Sequence, residues 1–283
     1  MDGKICVITG ATNGVGLETA RALANRGASV AVLGRNPGKG AETLAALRKT
    51  ARHPDTLRFF QADLADLAQV RQLGRDLADA YPRIDVLINN AGLINSKRKV
   101  TADGYEETFA VNHLAHFLLT GLLMERLRAA PAARIVNLSS NAHLAGRLDL
   151  DDLNRERRRY STFGTYGDSK LANLYFTYEL ARRLAGTPIT ANAVHPGAVA
   201  SGFSLNNGGV ASLVMGLLRP FFLSSEQGAL TSIHVASAPE LAKVTGRYFY
   251  KSHEKKSSKL SHDAAIARRL WALSEEMTGI RYP

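Results

Sequence analysis

The regular alternation of short apolar runs with amphipathic stretches is the feature that most constrains this chain. Lys4 to Thr9, Ser29 to Gly34, Leu57 to Gln61, Ile84 to Asn89, Ala133 to Ser139, Ile189 to His195 and Gly246 to Tyr250 read as strands. Val15 to Arg26, Gly40 to Thr50, Leu67 to Ala80, a long helix within Asp103 to Arg128, Gly164 to Ala185, Ser225 to Ser237 and Asp263 to Thr278 read as helices. In Val15 to Arg26, Leu17, Ala20, Leu23 and Ala24 share one face, the helical period. Strands alternating with helices build βαβ units, so the pattern predicts an α/β fold: a parallel sheet of about seven strands with helices on both faces. Such sheets gather their ligands at the strand ends, and the informative residues fall there.

At 283 residues and 45% hydrophobic, with no Pro/Ser-rich linker, the chain fits one large domain spanning residues 1–283. The single Cys6 excludes an intramolecular disulfide and leaves no cysteine metal cluster. A strand beginning by Lys4 leaves no room for a secretory signal, and a cytoplasmic location is expected. The apolar stretch Val210 to Leu223 is broken by Arg219-Pro220 and is too short for a membrane span. The net charge of +11 is spread over Arg155 to Arg159, Lys251 to Lys259 and Arg268-Arg269, without a nucleic-acid motif. It fits a solvated basic surface and an anionic cofactor better than nucleic acid.

Directly after the first strand comes Thr9-Gly10-Ala11-Thr12-Asn13-Gly14-Val15-Gly16, opening a helix. Glycines there permit a tight turn and close approach of backbone to a pyrophosphate, and the helix N-terminus offers N–H groups and the positive end of its dipole. The spacing is T-G-x-x-x-G-x-G rather than G-x-G-x-x-G. Further on, Tyr166 and Lys170 stand four apart on one face of a helix. At about 4 Å and an effective dielectric near 20, the ammonium would favour the phenolate by roughly 4 kcal/mol, lowering the phenol pKa by about 3. A tyrosine so tuned is suited to general acid/base catalysis near neutral pH. Asn112 lies in the long helix, with His113 and His116 beside it. The histidines' three-residue spacing lacks further ligands, so they read as helix histidines rather than a metal pair.

Thr9 to Gly16, Asn89-Asn90-Ala91-Gly92, Asn112, Ser140, Tyr166 with Lys170, and Pro196-Gly197 together resemble the short-chain dehydrogenase/reductase family over residues 4 to about 201. The segments Arg134 to Ser140 followed by Ala142-His143, Ser169 to Asn173, Val194 to Gly197 and Gly246 to Phe249 resemble its retinol-dehydrogenase-like and WW-domain-oxidoreductase-like branch. So does the 26-residue spacing from Ser140 to Tyr166. The resemblance implies a Rossmann-type doubly wound sheet, a cofactor half over roughly residues 1–140 and a substrate lid over roughly 200–224. It also implies that the extra segment Leu148 to Phe163 borders the substrate mouth.

The end of the second strand, Leu33-Gly34-Arg35-Asn36, lacks the carboxylate that holds NAD ribose hydroxyls. It offers Arg35 to a 2′-phosphate instead, so NADP(H) is the expected cofactor. By resemblance Asp63-Leu64 would contact adenine, Asn90-Ala91-Gly92 the ribose, and Pro196, Gly197 and Val199 the nicotinamide, with Ser201 where Thr is common. By the same resemblance Tyr166 would transfer the proton. Lys170 would tune it and hold the ribose, Ser140 would polarise the reacting oxygen, and Asn112 would help hold a water chain to Lys170. Ser139 is the less favoured serine, since it should face the other way.

The expected activity is NADP(H)-dependent interconversion of a carbonyl and an alcohol on a hydrophobic substrate, as in a ketoreductase or aldehyde reductase. The assembly is open between a homo-oligomer and a monomer. Two other readings stay open. Light-dependent protochlorophyllide reductases share the Tyr166-Gly167-Asp168-Ser169-Lys170 context, but they carry an active-site cysteine, whereas Cys6 lies in strand one. A non-enzymatic NADP-binding interaction protein would keep the fold, although such proteins commonly lose the Tyr or Lys.

Overall fold

The computed structural model describes residues 1–199 and 223–282. Strands β1 (Ile5–Ile8), β2 (Ser29–Gly34), β3 (Arg58–Gln61), β4 (Val86–Asn89), β5 (Arg134–Leu138), β6 (Thr190–His195) and β7 (Tyr248–Tyr250) run parallel in the spatial order β3-β2-β1-β4-β5-β6-β7. The chain begins mid-sheet, builds outward through β2 and β3, then crosses back to lay β4 against the other side of β1. The strand order therefore reverses between β1 and β4, the crevice where open α/β sheets take their ligands.

Among the described residues the sheet has eight strands, where the sequence suggests about seven. β8 (His253–Glu254) folds back antiparallel on β7 through a turn in which Lys251 and Ser252 have φ of 49° and 61°. This edge strand lies in a basic segment with no apolar alternation, so periodicity carries no sign of it.

The two faces of the sheet feed two cores through the alternation of strand side chains. Val7, Leu87, Ile135 and Ala191 point to one face, where they meet α3 (Leu67–Ala80), α5 (Ala115–Leu122), α7 (Thr162–Arg183) and α9 (Ala264–Thr278). Cys6, Ile8, Ile88, Val136 and Val194 point to the other, against α1 (Gly14–Asn25), α2 (Pro37–Arg48) and α8 (Ser225–Ser237). Cys6 is fully buried, and desolvation pushes its thiol up to about 12.

The long helix expected within 103–128 is interrupted. α4 (Glu107–Phe109) runs into a π-turn, Ala110–Leu114, then α5, and α6 (Met124–Arg128) follows a break at Leu123. α2 starts at Pro37, earlier than the apolar pattern suggests, because Asn36 caps it and proline is pre-shaped for a first helical turn. Between the 3₁₀ turn Asn141–Ala145 and α7, residues 146–161 carry neither helix nor strand. The expected lid, roughly 200–224, and Ser201 lie outside the described residues, apart from Leu223 and Ser224.

Candidate active site

The ends of β1 and β4 are stitched together under the glycine turn. Thr9 Oγ1 accepts from the backbone N–H groups of Asn90 and Ala91, both at 2.9 Å, and Asn90 Nδ2 donates to Thr9 O at 2.7 Å. Gly10 takes φ +65° to make the turn, a conformation that side chains disfavour. A Cβ on Gly16 would sit 2.4 Å from both Asn90 Nδ2 and Gly10 O, so only glycine lets α1 pack this close to the turn.

The helix termini differ in a telling way. Among the described residues, α2, α3, α7, α8 and α9 each have an N-terminal side chain accepting from the first turn: Asn36, Asp66, Ser161, Ser224 and Asp263. At α1, Asn13 makes no such bond. The first N–H groups of α1 are thus left by the protein's side chains to something else. They open onto a cavity of about 1240 Å³.

That cavity collects every residue assigned to the cofactor from sequence: Gly10, Thr12, Asn13, Gly14, Val15, Gly16, Arg35, Asp63, Leu64, Asn90, Ala91, Gly92, Tyr166, Lys170, Pro196, Gly197 and Val199. Arg35 is exposed at the end of β2, with no ion pair to it among the described residues. A phosphate-bearing dinucleotide fits these features: a cradle that a Cβ would fill, an uncapped helix N-terminus and an available guanidinium.

At the far side of the cavity α7 places Tyr166 and Lys170 in the lining, while Ser140, just past the end of β5, lies outside that lining and adjoins Tyr166. Lys170 Nζ lies 5.5 Å from the Tyr166 ring centroid and donates to Leu138 O at 3.1 Å. Ser140 hydrogen-bonds the Tyr166 phenol, and its Oγ also accepts from Ala142 N at 3.1 Å. Ser139 lines the cavity, but its hydroxyl is committed to Lys170 O at 2.8 Å.

Asn112 sits in the π-turn, fully buried. Its side chain accepts from Leu93 N at 2.8 Å and donates to Leu93 O and Ser169 Oγ, each at 3.0 Å. It makes no direct bond to Lys170, yet a Cβ on Gly92 would come within 3.2 Å of Asn112 Oδ1 and 3.4 Å of Lys170 Nζ, so both border the same gap. π-turns inside helices recur at functional sites because the extra residue redirects side chains.

The electrostatics correct the expectation for the Tyr–Lys pair. Burial holds the Tyr166 phenol above its ordinary range, the Ser140 hydrogen bond working in the opposite direction. Burial also brings Lys170 down to about 8. The ammonium donates to a backbone carbonyl, and desolvation is the largest influence on both groups.

Several polar contacts around the site could not be read from the sequence, although some of the residues that make them could. Asn89 Nδ2 donates to Asn137 Oδ1 at 2.8 Å and to Thr120 Oγ1 at 3.0 Å, while Asn137 Nδ2 donates to Thr177 Oγ1 at 3.0 Å. This ladder ties β4 and β5 to α5 and α7 beneath the site. His143 Nδ1 donates to Ser140 O at 2.6 Å and its Nε2 accepts from Ser258 N at 3.1 Å, which fixes a neutral tautomer. The basic stretch around Lys255, read as a solvated loop, therefore also supports the serine. His195 Nδ1 accepts from Gly197 N at 3.2 Å, and its ring stacks on Tyr250. His113 pairs with Ser274 and His116 with Thr9, and burial brings them down to about 4 and about 3.

A uniform family match accompanies this geometry. The profile described as short chain dehydrogenase matches residues 4–208, and the chain belongs to that family of alcohol/carbonyl oxidoreductases. Within it the chain stands on the retinol-dehydrogenase-like branch. It is 44% identical to mouse retinol dehydrogenase 12 over 280 residues, covering 99% of this chain and 88% of that protein. It is 40% identical to human retinol dehydrogenase 13, covering 99% and 86%. A protein of Mycobacterium paratuberculosis has a similar structure with TM-score 0.80 and 36% identity, covering 100% of this chain and 96% of that one. A short chain dehydrogenase of Burkholderia cenocepacia J2315, solved in complex with NADP, gives 0.69 and 25%, covering 88% and 96%. Among the described residues no helix is long and apolar enough to cross a membrane.

Proposed function

We propose that this chain is an NADP(H)-dependent reductase of a bulky, apolar aldehyde or ketone, with a retinoid-like aldehyde as the leading substrate class. The observation that carries the reading is that one cavity joins the Gly10–Gly16 cradle to Tyr166 and Lys170. The retinol dehydrogenase relatives and the NADP complex of the Burkholderia protein support it.

Gly10 to Gly16 would receive the pyrophosphate, and Arg35 the 2′-phosphate. Asp63 and Leu64 would border the adenine, and Asn90, Ala91 and Gly92 the ribose. Pro196, Gly197 and Val199 would border the nicotinamide. When bound, the cofactor supplies the hydride. Ser140 would hydrogen-bond the substrate oxygen as charge builds on it, and Tyr166 would give that oxygen its proton. A phenol kept protonated by burial is in the right state to act as the acid of a reduction, because a forming alkoxide is the stronger base. Lys170 would hold the ribose, and Asn112 would keep the lysine side of the site in place through Leu93 and Ser169.

Tyr166→Phe tests this assignment. Turnover of an apolar aldehyde should fall by about 10²- to 10⁴-fold, while NADPH fluorescence still reports binding. Unchanged turnover in that variant, or no NADPH signal from the wild-type protein, rejects the proposal. Cys6, buried in β1 away from the cavity, gives the pigment-reductase reading no cysteine to use.

A further inference from the structure

Two sets of polar contacts, and not apolar packing alone, tie the 146–161 segment to the rest of the fold. In the first, Arg155 pairs with Asp168 of α7, both nearly fully buried, and Arg158 stands 3.7 Å from the same carboxylate. Arg155 has φ +54°, a left-handed conformation that costs an ordinary residue about 1 kcal/mol and that these contacts hold in place. In the second, Tyr160 OH is shared between Asn95 O at 3.2 Å and Glu106 Oε1 at 3.3 Å. Asn154 extends this second clip, accepting from Glu106 N at 3.1 Å and receiving Arg98 Nε on its carbonyl at 2.8 Å. The next three residues, Ser161, Thr162 and Phe163, line the cavity together with Tyr166, and Phe163 leaves 72% of its surface exposed.

With the cavity taken as a substrate site, as under the proposed function, we propose that Arg155 and Tyr160 are positioning residues that set substrate length. They hold Ser161 to Phe163 as a fixed wall beside Tyr166, and that wall grips only apolar carbonyl compounds long enough to reach it. A buried ion pair is a poor source of stability compared with apolar side chains of the same size, but it is specific in direction. A loop tied at two points in this way cannot drift along the mouth as an apolar loop could. Short substrates react at Tyr166 without touching the wall and are indifferent to it.

The test compares wild type with Tyr160→Phe and Arg155→Lys, which keep bulk and charge while removing the shared hydroxyl or the guanidinium fork. All-trans-retinal serves as the long probe and propanal as the short one, each with NADPH. In both variants KM for retinal should rise about fivefold, the loss of one hydrogen bond's worth of positioning. Propanal kcat and the NADPH dissociation constant should stay within about twofold, and amide exchange at residues 161–164 should quicken. Equal losses on both aldehydes, an unchanged retinal KM, or unchanged exchange at 161–164 overturns the proposal. A wild-type protein that reduces neither aldehyde overturns the reading of the cavity itself, before any variant is compared.

Discussion

The two halves of the cavity work by opposite physics. Around Gly10 to Gly16 the protein offers backbone and the absence of side chains: one turn at positive φ, a helix end without a cap, and a contact at Gly16 that no Cβ tolerates. Around Tyr166 it offers side chains that burial disfavours: a phenol held above its range and a lysine brought down to about 8. The cradle agrees with the fold and stiffens it. The Tyr166–Lys170 pair is held against its own desolvation by the hydrogen bonds around it. The same kind of substitution should therefore have opposite effects on stability in the two places.

The largest test of that contrast is Lys170→Met. Turnover should fall by about 10³-fold, yet the cofactor-free protein should melt higher at pH 7. In wild type the lysine has a folded pKa of about 8 against 10.5 unfolded, so the fold binds fewer protons than the unfolded chain between these values. Wild-type stability then rises with pH across that window and is lost as pH falls through about 8. The advantage of the methionine variant, up to about 3 kcal/mol, should shrink as pH rises from 8 toward 10.5. A variant that melts lower than wild type at pH 7 breaks the comparison.

Gly16→Ala should do the reverse, destabilising by about 2 kcal/mol through overpacking and weakening NADPH binding together with stability. Thermal melts with and without NADPH read both. Arg35→Ala should raise KM for NADPH about tenfold, the scale of one charge-assisted bond, and leave NADH kinetics and melting temperature alone. Parallel changes for the two nucleotides would show that Arg35 does not read the phosphate. The smallest effect is expected at Asn36→Ala, which removes the cap of α2. About 1 kcal/mol of stability should be lost with NADPH affinity unchanged, because α2 is already closed by its own side chain where α1 is not.

Legibility in the sequence follows the same division. The cradle could be read because a turn that admits only glycine shows in the letters themselves, and strands buried on both faces show as apolar runs. Tyr166, Lys170 and Ser140 could be placed by spacing and resemblance; Tyr166 and Lys170 line one cavity, and Ser140 adjoins Tyr166 just outside that lining. Their electrostatics could not, since the balance of desolvation and attraction depends on where Nζ points, and it points to Leu138 O. Nor could the Asn89–Asn137–Thr177 ladder, His143's grip on Ser140 or the clips of Arg155 and Tyr160. Each joins its residues through single polar atoms that leave no periodic trace, whether near in the chain, as His143 and Ser140, or far, as Asn89 and Asn137. β8 was hidden because an edge strand of two residues needs no apolar pattern.

The π-turn at Ala110–Leu114 makes chain length here a coded quantity. One residue more than an α-helix needs is wound into this stretch, and Asn112 owes its direction to it. Deleting one of the other four would let the helix run on smoothly, and would turn the helix before the deletion by about 100° relative to the helix after it. The regular helix would be the more ordinary structure, but its asparagine would face away from Leu93 and Ser169. A designer who tidied this helix, or a lineage that lost a codon in it, would keep the fold's outline and misplace this buried asparagine.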